Sequence, residues 1–432
     1  MDISTLYACY QRCSTVVTDS RESVPQSLFF ALKSHHDNGN RYAAAALSAG
    51  ASFAIVDEKK YAVDERYLLV DDVLTALQQL AAHHRQQMAI PVIGITGTNG
   101  KTTTKELIAA VLSGTFTTLY TEGNKNNHIG VPLTLLRLTA DHQAAVVEMG
   151  ANHLREIADL CEIVAPDFGI ITNVGEAHLE GFGSLDGVLE AKGALYRYIR
   201  QHQGNIFRNA DNRHLAGISS GIREITYGQR REQADVSGQI VSDAPFITLS
   251  WHSARFNVSG ETVHTHFWGS HNAENVLAAI AVGLYFGIDP QTICRRIESY
   301  IPQNNRSACL KTATNTLYLD AYNANPASME AAIRSFKTMP VTNKTLILGE
   351  MLELGIQSEE KHNTIAALIR QLNFERVYLV GEAFASVAGA PFHTFPDVET
   401  LQQFLQTHPI TDSAILIKGS RGVALEKAVA WL

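Results

Sequence analysis

One stretch constrains this chain more than any other: Val92-Ile93-Gly94-Ile95 running through Thr96-Gly97-Thr98-Asn99-Gly100 into Lys101-Thr102-Thr103. An apolar run of strand character enters a glycine loop. A helical pattern leaves it, with Leu107, Ile108, Val111 and Leu112 at helical spacing, and Gly114 closes it. Strand, glycine turn and helix in that order form the βα unit of a parallel sheet. Glycines let backbone N–H groups close on phosphate oxygens, the helix start adds its positive end, and Lys101 adds a full charge. Thr102 offers a hydroxyl suited to a nucleotide-bound Mg²⁺. The candidate phosphate-binding set is therefore Gly97, Thr98, Asn99, Gly100, Lys101, Thr102 and Thr103. The standard loop pattern wants glycine at 95, where Ile95 stands, so the assignment leans on the strand before and the helix after. The competing reading is a glycine turn beside a solvated lysine.

The remaining pattern is α/β throughout. With 432 residues, two or three domains are expected. Residues 1–85 mix the strand-like runs Ser27 to Leu32 and Phe53 to Val56 with an alanine-rich helical stretch, and a further helix leads out of this unit. Residues 86–303 form a central parallel-sheet unit around the glycine loop, with further strands Ala144 to Val147 and Phe168 to Ile171. Between about 205 and 268 the rhythm breaks. Ile247, Leu249 and Trp251, then Phe256 and Val258, alternate with polar residues, which predicts an extra antiparallel patch. Residues 304–432 predict a smaller, Rossmann-like doubly wound unit with strands Thr316 to Leu319, Thr345 to Leu348, Val377 to Val380 and Ala414 to Ile417. Strands there end at Asp320, Gly349, Gly381 and Lys418-Gly419, and open α/β sheets bind ligands at such carboxyl ends.

Bulk properties exclude some classes. A formal charge of -8 argues against a broad nucleic-acid surface. No apolar run approaches the roughly 20 residues that span a bilayer. The five cysteines are scattered at 9, 13, 161, 294 and 309, as a reducing compartment permits, and the start of the chain has no export signal. A cytoplasmic location is expected.

Other residues carry chemistry only in context. Glu148 ends the strand Ala144 to Val147, where a carboxylate beside a phosphate loop is placed to bind Mg²⁺; by itself it reads as a surface glutamate. His178, in the loop after Phe168 to Ile171, and Lys192, in a helical segment, have no distinguishing spacing. Asn272 and Asn275 open a long helix. Their amides suit an adenine edge and suit a helix cap equally. Arg306 and Asp320, the latter at a strand end, lie far apart in the sequence and carry no signal by themselves. His264 and His266 share one strand face, but no third metal ligand is evident.

Thr96 to Thr103 resembles the nucleotide loop of the Mur ligases, a family that includes folylpolyglutamate synthetase relatives. The resemblance covers nearly the whole chain. Thr18-Asp19-Ser20-Arg21 with Leu28 to Leu32 resembles the family's UDP-binding domain, although Ser34 and Asn40 depart from its usual glycine and histidine. Gly123 to Pro132 matches a central-domain loop. Asp320-Ala321-Tyr322-Asn323-Ala324-Asn325-Pro326, Leu348 to Gly355 and Lys418-Gly419-Ser420-Arg421 resemble the members that add a dipeptide. The resemblance implies an ATP-dependent, ADP-forming ligase acting through an acyl phosphate in peptidoglycan precursor synthesis. It implies UDP-N-acetylmuramoyl-tripeptide and D-alanyl-D-alanine as partners, with neither nucleic acid nor membrane, and a monomer. Catalytic roles fall to Lys101, Glu148, His178 and Lys192. Two Mg²⁺ are implied, held by Thr102, Glu148, His178 and a CO₂-derived carbamate on Lys192, whose amine must lose its proton first. The nucleotide contacts would extend to Asn272, Asn275, Arg306 and Asp320, and the substrate contacts to Ser20, Arg21, Asn126, Asn127, Tyr322, Asn323 and Asn325. Two other readings stand beside this one: a sister ligase or folylpolyglutamate synthetase adding a single amino acid, and a nucleotide-binding switch that ligates nothing.

Overall fold

Each strand expected from an apolar run forms, and pairing sorts the strands into three sheets. The computed structural model of the protein describes residues 1–175, 179–229, 234–302, 305–387, 389 and 391–432. The first sheet holds β1 (Thr15–Val17), β2 (Ser27–Phe30), β3 (Phe53–Val56) and β4 (Tyr67–Leu69), all parallel and side by side in chain order.

The second sheet runs through β5 (Val92–Thr96), β6 (Thr118–Tyr120), β7 (Ala144–Glu148), β8 (Phe168–Ile171), β9 (Asn205–Asn209), β10 (Arg223–Gly228), β11 (Val236–Ser242), β12 (Thr248–Ser253) and β13 (Val258–His264). Its order is β13-β12-β11-β10-β9-β8-β5-β7-β6. β5 therefore lies between β7 and β8, the strands carrying the next loops, and its glycine loop opens where the winding reverses. That switch point is where parallel α/β sheets bind ligands.

The expected antiparallel patch needs correcting at its start. β9, β10 and β11 pair parallel and extend the main sheet; only the β11–β12 and β12–β13 pairings are antiparallel, and they belong to the same sheet. β9 hid its character because Asn205, Arg208 and Asn209 flank only two apolar residues, Ile206 and Phe207. Arg208 is matched by Glu224 on β10, at 2.7 Å.

The third sheet holds β14 (Ala308–Lys311), β15 (Thr316–Asp320), β16 (Lys344–Gly349), β17 (Arg376–Val380), β18 (His393–Phe395) and β19 (Ala414–Lys418), in the order β14-β15-β19-β16-β17-β18. Only β14 is antiparallel among these pairings. Successive side chains on β16 and β19 go to opposite faces: Leu346, Leu348 and Leu416 meet the helix Pro326–Thr338, while Ile347, Ile415 and Ile417 meet the helix Val398–Thr407. Burial on both faces is why these strands read as continuous apolar runs. The boundary expected at Gln303 lies outside the described residues.

The helix Val73–Gln86 joins the first sheet to the second. Its Leu77 and Leu80 share one core with Leu28, Phe30 and Ile55 on one side and Val131, Leu135 and Leu160 on the other. Asp72 caps its start by accepting from the Thr75 backbone N–H at 2.7 Å. Leu80→Ala should therefore destabilise the protein by about 2–5 kcal/mol, read as a lower denaturant midpoint in chemical unfolding.

Candidate active site

The glycine loop after β5 is held from β8. The Thr98 backbone N–H donates to the Asn173 carbonyl at 3.0 Å, and the Asn99 N–H donates to Asn173 Oδ1 at 2.9 Å. Thr172 Oγ1 donates to the Asn99 carbonyl at 2.6 Å, and Asn173 Nδ2 donates there at 3.1 Å. This close approach needs Gly97: its φ is +146°, and a Cβ there would lie 1.9 Å from Thr172 Oγ1. Gly100, at φ +77°, starts the helix Lys101–Leu112 with no side-chain cap. The first-turn N–H groups of Lys101, Thr102 and Thr103 have no intrahelical acceptor and present a positive helix end to an anion. Lys101 Nζ donates to the Gly97 carbonyl at 2.7 Å and the Thr98 carbonyl at 3.1 Å. Burial pushes its ammonium below the usual lysine value, and Arg306 adds to the fall.

Glu148 ends β7 beside this loop and is 1% exposed. Its Oε1 accepts from Thr102 Oγ1 at 3.1 Å and from Asn126 Nδ2 at 2.8 Å. Its Oε2 is buried with no hydrogen-bond partner among the described residues. A buried carboxylate oxygen without a donor costs free energy unless a cation meets it. A hard divalent cation with oxygen ligands fits that vacancy in the bonding, with Thr102 and Glu148 as its donors. Among the described residues there is no cluster of three His, Cys, Asp or Glu side chains suited to a metal. His178 lies outside the described residues.

Lys192 sits on the helix Leu185–Gln201 and is 1% exposed, with Nζ 5.6 Å from the centre of the Phe182 ring. Among the described residues no carboxylate pairs with it. Burial first, and the Lys101 charge second, push its amine well below the ordinary lysine value. It does not line the cavity that the loop opens into.

That cavity, about 1200 Å³, lies between the second and third sheets. Glycine-loop residues from Thr98 to Thr103 line it, with Asn126, Asn127, Glu148, Asn272, Asn275, Arg306, Asp320, Tyr322 and Asn323. Asn272 and Asn275 precede and open the helix Ala273–Tyr285 and bond each other, Asn275 Nδ2 donating to Asn272 Oδ1 at 2.9 Å. Asn275 Oδ1 also accepts from Thr104 Oγ1 at 3.0 Å, which ties this helix to the loop helix. Asn127 is a turn residue, its Oδ1 accepting from the Gly130 N–H at 2.8 Å. Asp320, at the carboxyl end of β15, accepts from Lys418 Nζ at 2.6 Å. Burial would raise its carboxyl, but Lys418, His271 and Arg306 together hold it below the usual carboxylate value. The Arg306 guanidinium stacks 3.7 Å from the Tyr322 ring centre. Asn325 caps the helix Pro326–Thr338 and reaches across the cavity: its Nδ2 donates to Asn99 Oδ1 at 2.7 Å, and Asn99 Nδ2 returns a longer bond of 3.5 Å.

Comparison with known proteins follows the same outline. The Mur ligase middle domain matches residues 95–283, and the Mur ligase glutamate ligase domain matches residues 305–421. The chain belongs to the Mur ligase family. The UDP-N-acetylmuramoyl-tripeptide–D-alanyl-D-alanine ligases of Bacillus subtilis and Escherichia coli are each 36% identical to it. These alignments cover 96% of this chain and 92% and 93% of those relatives. A crystal structure of MurF from Acinetobacter baumannii is 31% identical, with a TM-score of 0.87, covering 99% of this chain and 97% of that one. MurF from Thermotoga maritima in complex with ADP shares the fold, at 24% identity and a TM-score of 0.86, over 98% and 97% of the two chains. As a Mur ligase, the chain is an ATP-dependent, ADP-forming ligase.

In this Mur ligase, two expected substrate residues lie elsewhere. Ser20 and Arg21 form the short turn Ser20–Glu22 after β1, at the carboxyl end of the first sheet, outside the large cavity. Arg21 is exposed and pairs with Asp19 at 2.5 Å. Nearby Asn40 is buried and donates to Asp57 Oδ1 at 2.8 Å, so this departure from the family pattern has a structural use. His264 is exposed and meets Thr248 at 3.2 Å, while His266 packs on Phe246; among the described residues neither forms a metal cluster.

Sequence reasoning gave no role to Thr172 and Asn173, which hold the loop, or to His271, which lines the cavity. Lys418 and Arg421, which also line it, were marked only as a polar strand end and as part of a motif resembling the dipeptide-adding members. His271 is pushed down to about 4 by burial, so it is neutral at pH 7. Gly97→Ala should strain the loop by about 1–3 kcal/mol, giving about ten- to hundredfold weaker nucleotide binding by calorimetry.

Proposed function

We propose that this chain couples D-alanyl-D-alanine to UDP-N-acetylmuramoyl-tripeptide, using ATP and an acyl-phosphate intermediate, in peptidoglycan precursor synthesis. The observation that carries the reading is Glu148: a buried carboxylate with one oxygen unpartnered among the described residues, bonded to the first helical turn after a phosphate loop. The near-full-length identity to ligases of that name supports the choice of substrates.

In this reading residues 1–85 take the UDP end of the acid substrate, with Ser20 and Arg21 at the sheet's carboxyl end. Residues 86–303 take ATP and residues 304–432 the amine. Gly97 to Thr103 and Lys101 hold the phosphates, Arg306 reaches them from the opposite wall, and Asn272 and Asn275 face the base. Asp320 accepts from the ribose. Asn126 fixes Glu148, while Asn127, Tyr322, Asn323 and Asn325 shape the substrate side.

The peptide carboxylate attacks the γ-phosphorus, the bond to the β-phosphate oxygen breaks, and ADP leaves. The neutral amine of the dipeptide then attacks the acyl carbon, phosphate departs, and the amine proton goes to solvent. Thr102 and Glu148, with His178 and a carbamylated Lys192, would hold Mg²⁺, which when bound offsets charge on the transferring phosphoryl group. Lys192 serves by being neutral: an unprotonated amine adds to CO₂, loses a proton and becomes an oxygen-donating anion. The enzyme is taken to act in the cytoplasm as a monomer; no helix among the described residues is long and apolar enough to cross a membrane.

ADP release measured with each candidate amine tests the reading. Release should require D-alanyl-D-alanine together with the nucleotide tripeptide. Release driven by a single amino acid points to a sister ligase, and release without any amine points to a switch. Lys101→Ala should lower turnover by about 10²–10³-fold with an unchanged unfolding transition; near-normal turnover would remove Lys101 from the mechanism. Lys192 adds a pH and CO₂ dependence. Its amine is neutral above its depressed folded pKa and protonated below it, so the carbamate and the activity should fall as pH drops. Stripping CO₂ should reduce turnover and bicarbonate should restore it, and an activity indifferent to CO₂ would discard the carbamate.

A further inference from the structure

Arg421 is a cation in the large cavity whose charge no carboxylate among the described residues answers. It is exposed, lies just past β19, and among the described residues pairs with no carboxylate. The other cations of this wall are engaged. Lys418 is buried against Asp320 at 2.6 Å. Arg306 lies over the Tyr322 ring and is felt at both Lys101 and Asp320, which directs it to the phosphate side. Arg421 instead reaches the far end of the same ring, with Nη1 3.3 Å from the Tyr322 hydroxyl and Cζ 5.3 Å from the ring centre. Tyr322 thus separates two guanidinium groups and restrains both.

Apolar surface lies beside that cation. Leu352 lines the cavity, is 42% exposed, and rests against Gly422, where a Cβ would meet its Cδ1 at 2.8 Å. Its backbone N–H donates to Ser420 Oγ at 3.0 Å, which pins it to the turn bearing Arg421. An exposed aliphatic side chain fixed next to an unpaired guanidinium suits a small ligand carrying methyl groups and a carboxylate. Planar, five-donor guanidinium groups favour carboxylates in a bidentate fork.

Resting on the proposed function, we infer that Arg421 binds the C-terminal carboxylate of the dipeptide amine, with Leu352 against its methyl side chains. The reacting nitrogen and that carboxylate lie two residues apart, roughly 7 Å when extended. A single amino acid spans about half of that. A cation set back at the end of Tyr322, away from the phosphate-side Arg306, therefore selects length as well as charge.

Steady-state ADP release by the full-length enzyme tests this with two amines, D-alanyl-D-alanine and its C-terminal amide, which keeps the shape and removes the charge. The wild-type enzyme should use the amide with at least about tenfold lower kcat/KM, the loss expected for one charged hydrogen-bonded contact. Arg421→Gln should raise the KM for the acid by a similar factor, leave the KM for ATP unchanged, and use acid and amide equally. Arg421→Lys should recover part of the discrimination. A wild-type enzyme indifferent to the amide would overturn the inference, as would an Arg421→Gln enzyme that keeps the preference or shifts the KM for ATP instead. Failure of the wild-type enzyme to release ADP with any dipeptide would strike the proposed function itself, a distinct result.

Discussion

A carboxylate taken out of water must have its charge answered, and the region around Glu148 is arranged by that requirement. Three groups fix its position. Thr102 and Asn126 donate to one oxygen, and the Glu148 backbone N–H donates to Thr121 Oγ1 at 3.0 Å. The fully buried Lys105, one turn along the loop helix, donates to the Thr121 carbonyl at 2.7 Å. All of this satisfies one oxygen and the backbone and leaves Oε2 without a donor among the described residues. A protein retains such a deficit where a ligand removes it, since the cost of an unmet buried acceptor is a sizeable part of a domain's net stability.

Positive charge on the other side of the loop is handled by the opposite means. Lys101 is half-buried and Lys192 fully buried, and each is pushed toward its neutral form. Two full ammonium groups so close together in a dry site would repel strongly. Burial settles the conflict mostly at Lys192, which has no carboxylate partner among the described residues, whereas Lys101 keeps two loop carbonyls as acceptors. The same burial that makes a lysine a poor cation makes it a good nucleophile toward a small electrophile.

The fold was legible in the sequence because most strands are buried on both faces and so appear as unbroken apolar runs. β9 was not, since Arg208 pairs with Glu224 on β10 and Asn209 donates to Glu274, partners that only the folded sheet brings beside it. In the site, Gly97 and Lys101 announced themselves by their order along the chain. Thr172 and Asn173 did not: their roles depend on β8 lying next to β5, a neighbour relation separated by some seventy positions of sequence. Asp320 and Lys418 are polar residues ending two apolar strands, and only the parallel pairing of β15 with β19 shows that they meet.

The bond between Asn99 and Asn325 joins the glycine loop to the segment facing the opposite wall, across 226 positions of chain. Each amide gives a hydrogen and receives one, so the match depends on both partners being amides of the same length. Replacing either with its acid would set two acceptors face to face, and shortening either would open a gap. A change at either position is therefore expected to need a matching change at the other, which makes the two amides a single unit of tolerance although they lie in different halves of the chain.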